Sequence, residues 1–217
     1  MKKTTLISLI ILSFLIFSCS GKKKKIFKYS GAVFKMCLSN LPSTNMPREV
    51  TDVNSATVMY QVMEGLVSFD PENMKIVPQI AESWHISNDN LTYTFKIRKD
   101  ILFHKCAVFS NEKQRRLTPK DIIYSIKLAC KKDKNNHPTP AYTSLFKGLI
   151  KGVDKFHEGK ADDIEGLKIQ NYILTIKLEQ PDANFLNKMA NINASISSKK
   201  VHEANKENLM IGTGPPV

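Results

Sequence analysis

An α+β fold, with strands paired as hairpins and helices set between them, is what this 217-residue sequence predicts. Two stretches alternate apolar and polar residues at the period of a half-buried strand. Leu91, Tyr93, Phe95 and Ile97 interleave with Thr92, Thr94, Lys96 and Arg98, and Tyr172, Leu174, Ile176 and Leu178 repeat the pattern. Between them, Leu117-Thr118-Pro119-Lys120-Asp121-Ile122 has the composition of a helix start. The chain has no internal repeat.

Along the chain, Phe27 to Leu38 has β character, and Ser39 to Pro47, with its prolines, reads as a loop. A helix follows, capped by Asn54 or Ser55, with Val58, Met59, Val62, Met63 and Leu66 at helical spacing, and Glu64-Gly65-Leu66 closes it. Its methionines read as core filling. Ser68-Phe69-Asp70-Pro71-Glu72-Asn73 makes a turn. Trp84-His85-Ile86 and Leu91 to Arg98 pair as a hairpin about Asn88-Asp89-Asn90, giving a sheet with one wet face. At the next helix Thr118 is the expected N-cap, and Pro119 takes the first helical position, where a missing N–H costs nothing. Asp121 complements the helix dipole, and Leu117 and Ile122 are placed to pack as a hydrophobic staple. This helix runs through Ile126 and Ala129. Lys131 to Pro140 is a polar loop, and Tyr142 to Phe156 reads as a helix broken by Gly148 and Gly152. Gly166 to Leu178 is a strand pair, and Pro181-Asp182 opens a helix carrying Phe185, Leu186 and Met189.

The beginning of the chain sets a compartment. Met1-Lys2-Lys3 is basic, and Leu6 to Phe17 is apolar apart from Ser8 and Ser13, the pattern of a secretory signal and too short for a membrane span. Ile16-Phe17-Ser18-Cys19 resembles a lipobox with Phe17 in place of the usual small residue, so residues 1–18 are expected to be a lipoprotein signal peptide and Cys19 the acylated first residue. Two or more acyl chains give stable anchoring where one does not. Residues 19–26, with Lys22-Lys23-Lys24-Lys25, form a tether that solubilises the anchor or lies against anionic head groups. Removing the leader takes Lys2 and Lys3 with it, which lowers the formal charge from +12 to +10. The remaining lysines are scattered rather than grouped with aromatics, which argues against nucleic acid as a partner.

The chemistry-bearing residues are sparse. Cys37, Cys106 and Cys130 have no metal-like spacing and read as buried small apolar residues, although an exported chain could form one disulfide. His85, His104, His137, His157 and His202 do not pair at helical or zinc-finger spacing, so neither a metal nor another cofactor is expected. No Gly-x-Ser-x-Gly or His-Glu-x-x-His is present, and Asp162-Asp163 with Glu165 reads as a solvated acidic turn. No catalytic residue is assigned, and the chain is expected not to be an enzyme.

Gln79-Ile80-Ala81-Glu82-Ser83-Trp84, the stretch Leu91 to Lys99, and Phe103-His104 resemble, in order and spacing, the signature of family 5 extracellular solute-binding proteins. These are the oligopeptide, dipeptide and nickel receptors of bacterial ABC importers. Glu64-Gly65-Leu66, the Leu117 to Ile122 segment with Tyr124-Ser125, and Ile211-Gly212-Thr213-Gly214-Pro215 match further family segments. The resemblance runs from about Phe34 to Gly214. It implies lobe one of a periplasmic-binding-protein type II-like fold: residues 27–63 begin the lobe, 64–181 form an inserted mixed α/β subdomain, and 182–217 return to the lobe.

The resemblance also implies a job, which is to bind an oligopeptide or other small solute and deliver it, as a monomer, to ABC permease subunits. Family peptides lie extended and pair with the backbone just before the Glu-Gly-Leu helix, here Thr51-Asp52-Val53, and Pro140-Ala141-Tyr142 resembles a cleft-facing tyrosine segment. Thr51, Val53 and Tyr142 are the implied ligand contacts; for Tyr142 a core aromatic is the competing reading, and for Val53 an ordinary loop valine. The match stops inside a family segment, at Pro216-Val217, so the chain is expected to be truncated before lobe two and impaired in binding. The other class in view is a single-lobe surface lipoprotein acting as a protein-interaction scaffold. In either case it is expected to be exported and lipid-anchored, facing the periplasm or the cell exterior.

Overall fold

Residues 35–204 and 210–214 are described by the computed structural model. The leader, Cys19, the lysine-rich tether and most of the expected first strand lie outside them; Lys35 to Leu38, its described end, is not in a strand. The first long element is α1 (Val53–Val62), capped by Asp52 rather than by Asn54 or Ser55. Helix α1 also stops at Val62, before the expected Leu66, because Met63 turns to extended backbone. Gly65 then passes so close to the Met189 carbonyl that a Cβ there would sit 2.9 Å from its oxygen. A helix could not continue through that contact.

Two short strands, β1 (Val67–Phe69) and β2 (Ile76–Pro78), pair across the turn that begins at Asp70. The expected turn is present but shorter, since Ser68 and Phe69 belong to β1. The main sheet is antiparallel, with β3 (Ala81–Ile86), β4 (Thr92–Ile97), β5 (Leu167–Gln170) and β6 (Ile173–Lys177) in the order β3-β4-β6-β5. Register puts Phe95 opposite Leu174 and Tyr93 opposite Ile176, and all four side chains are buried. Lys96 stays in water, as the alternation predicts.

A one-turn helix, α2 (Glu112–Arg115), precedes α3 (Pro119–Cys130). The Asp121 carboxylate closes the start of α3, accepting from the Thr118 N–H at 2.9 Å and from the Thr118 hydroxyl at 2.7 Å. Leu117 and Ile122 are both fully buried in the main core. The expected helix at Tyr142 to Phe156 is two separate turns, a π-type turn at Tyr142–Phe146 and α4 (Val153–His157). Gly152, at φ +78, provides the left-handed residue that separates them.

After β6 come α5 (Phe185–Met189), a 3₁₀ turn at Ile192–Ala194 and α6 (Lys199–Glu203). Phe185 packs its ring 4.3 Å from that of Tyr93 and 6.5 Å from that of Phe95, centre to centre, so the core runs without a break past Pro181. A smaller cluster of Val50, Met59, Met63 and Ile192 lies under α1. Of the three cysteines expected to be buried, Cys130 is buried, Cys106 is half-buried and Cys37 is exposed, and all three are free thiols.

Candidate ligand-binding edge

The segment leading into α1 is extended, with Val50 at φ −66, ψ 124 and Asp52 at φ −121, ψ 154. Side chains alternate along such a backbone. Asp52 turns toward Ser43 and Ser55, whereas Thr51 is exposed and Val53 is 79% exposed. Neither the Thr51 nor the Val53 N–H has a hydrogen-bond partner among the described residues. The result is a short extended segment, ending where α1 begins at Val53, with open backbone donors of the kind that pair with another extended chain.

Asp52 fixes this geometry. Its carboxylate accepts from the Ser55 N–H at 2.8 Å, from the Ser55 hydroxyl at 2.6 Å and from the Ser43 hydroxyl at 2.5 Å. These bonds, the Ser43 hydroxyl first, lower its pKa from 3.8 to about 2. The spacing Asp52-x-x-Ser55 before an apolar helical run is itself a cap signal, and it should have outranked Asn54.

Tyr142 is elsewhere. It is 5% exposed in the main core, its ring stacks on His157 at 3.6 Å, and its hydroxyl donates to Asp154 Oδ1 at 2.8 Å. Burial, followed by that bond, raises the tyrosine pKa. Thr51 and Val53 lie exposed on the segment entering α1, whereas Tyr142 is set within the main core. The Asp162, Asp163 and Glu165 group is a surface ion-pair turn, with Lys127 on Asp163 and Lys151 on Glu165. Among the described residues no cluster of three His, Cys, Asp or Glu could hold a metal.

At the far end of α1, the Phe103-His104 and Gly212-Thr213-Gly214 segments form one joint. The His104 N–H donates to the Gly212 carbonyl and His104 Nε2 to the Gly214 carbonyl, each at 2.9 Å, which fixes the proton on Nε2. Gly214 N–H in turn donates at 3.0 Å to the Val62 carbonyl at the end of α1. A Cβ on Gly214 would lie 2.8 Å from that oxygen, so the approach requires glycine. Sequence reading listed these motifs separately and missed that they support the helix behind the edge.

This scaffold is that of a periplasmic binding protein. The chain belongs to the bacterial extracellular solute-binding proteins, family 5, whose model matches residues 75–215. It is 27% identical over 197 residues to the peptide transport periplasmic protein SapA of Salmonella typhimurium, covering 84% of this chain and 33% of that protein. To heme-binding protein A of Haemophilus influenzae it is 32% identical over 163 residues, covering 72% of this chain and 27% of the relative. The murein tripeptide binding protein MppA of Escherichia coli superposes with a TM-score of 0.67 at 27% identity, over 82% of this chain and 33% of MppA. The chain thus spans about a third of the length of these relatives.

Proposed function

We propose that this chain supplies the first-lobe side of a peptide site in the substrate-binding component of an ABC importer, exported and lipid-anchored through Cys19. An extended peptide pairs its backbone with the Thr51–Val53 edge, while Tyr142 serves the core. The observation that carries this reading is the exposed edge at the start of α1, whose Thr51 and Val53 N–H groups have no partner among the described residues, in a chain of this family. Backbone pairing explains how one such edge takes peptides of many sequences. In this reading residues 64–181 are the inserted subdomain, the protein acts as a monomer, and the permease subunits are its protein partners.

A good small-molecule site buries about 70–90% of its ligand. Thr51 and Val53 are exposed, so this edge by itself covers an extended peptide along one side only. Residues 19–217 alone are therefore expected to bind weakly or not at all; micromolar affinity for mixed di- to pentapeptides in calorimetry would overturn that expectation. Val53→Pro tests the edge itself. Proline is tolerated at the first helical position, and Asp52 already has the extended backbone that a following proline requires. The N–H is lost, and the side chain exchanged with it is an exposed one. The variant should fold normally and bind peptide about 3- to 10-fold more weakly, the loss of one hydrogen bond. Unchanged affinity would remove this edge from the site.

A further inference from the structure

We propose that Asp52, Ser43 and Ser55 form a positioning clasp that holds the Thr51–Val53 edge, extended up to Asp52 and turning into α1 at Val53, open before any ligand arrives. The inference rests on the reading of that edge as the peptide site.

The carboxylate does more than cap a helix. A cap needs one acceptor for one backbone N–H, and the Ser55 N–H bond to Oδ1 provides it. Oδ2 instead gathers two hydroxyls, those of Ser43 and Ser55. Because the Ser55 hydroxyl donates to Asp52, its lone pairs are free to accept, and they take the Ser43 N–H at 2.9 Å and the Thr44 N–H at 3.3 Å. Ser39 adds a tie to Asn54 at 3.3 Å. The loop from Ser39 to Thr44 is thus fastened at both ends to the residues flanking the edge. Ser55 is fully buried beneath these bonds, whereas Thr51 and Val53 on either side of Asp52 stay in water.

That arrangement has a consequence for binding. A short extended segment outside any sheet has nothing beside it to keep it straight, and ordering it on contact would subtract from affinity. The clasp does the ordering beforehand, through a loop that itself need not touch ligand. Ionisation of Asp52 is part of the device, since only the carboxylate can accept from both hydroxyls while it also caps the helix.

Two variants separate positioning from capping. S43A removes the loop's hydroxyl and leaves the helix cap untouched; D52S keeps a good cap, but its shorter side chain cannot reach Ser43. Both are compared with wild type and with S43T, which restores the hydroxyl, by ¹⁵N relaxation of the free protein and by titration with trialanine and pentaalanine. The clasp predicts a thermal midpoint close to wild type in S43A, whereas D52S also loses the stabilising carboxylate. It predicts backbone order parameters at residues 51–53 falling from about 0.85 to below about 0.6 in S43A and D52S. Peptide affinity should fall about 3- to 10-fold in both, with S43T near wild type. Order parameters unchanged in both variants would overturn the clasp. If order falls but peptide binding in S43A and D52S is the same as in wild type, the clasp stands as a positioning device and the peptide reading of the edge fails.

Discussion

At the scale of single residues, Tyr142 and Asp52 show two ways in which a position can be misread. Nothing near Tyr142 in sequence tells whether its ring faces ligand or core. Its stacking partner His157 and its acceptor Asp154 come from α4, across two turns of chain. Tyr142→Phe should therefore destabilise the fold by about 1.5 kcal/mol, at the low end for a hydrogen bond to a carboxylate that is partly in water, and leave peptide affinity unchanged. Urea unfolding and a peptide titration measure the two effects separately. Asp52 was legible, because an acceptor three residues before Ser55 is cap chemistry. What could not be read was Ser43, whose hydroxyl arrives through a loop that local pattern leaves undefined. Since the folded-state pKa of Asp52 is depressed, its contribution is fully present above the ordinary value of 3.8 and is lost as pH falls toward about 2. The unfolding midpoint should drop over that window in wild type, and D52S should drop less.

Helices and strands were legible in proportion to how local their causes are. Helix α3 follows from Thr118, Pro119 and Asp121 alone, and the structure adds one bond: Asp121 Oδ1 also accepts from the Lys199 N–H at 3.0 Å, tying α3 to the start of α6. Asp121→Ala is expected to cost about 1–2 kcal/mol in chemical denaturation, as loss of a good cap does. The β3–β4 hairpin and the β5–β6 pair were equally clear, because period-2 alternation is set by the side chains themselves. By contrast, α1 ends at Val62 and not at Leu66 because the chain must pass beneath Met189 and receive the Gly214 N–H on the Val62 carbonyl. The strands β1 and β2, of three residues each, carry too little pattern to be seen.

Across the whole molecule, packing joins what sequence reading divides. The main core takes Leu66 at one end and Val201 at the other, and Phe185, beyond Pro181, closes over Tyr93 and Phe95. Phe185→Ala should accordingly destabilise the entire sheet by about 3–5 kcal/mol, seen as one cooperative shift in thermal unfolding followed by Trp84 fluorescence. A separate early transition, with the sheet intact, would show that the segment after Pro181 folds by itself. By itself the sequence determined the α+β class, the inward face of the sheet, the start of α3 and the family, since each depends on residue order over short spans. Only tertiary structure decided where α1 stops, that Tyr142 belongs to the core, and that His104 and Gly214 form one joint at the far end of α1. The first and last depend on contacts between residues more than a hundred positions apart and the second on partners from a separate helix, and a linear pattern carries no information about which such groups will meet.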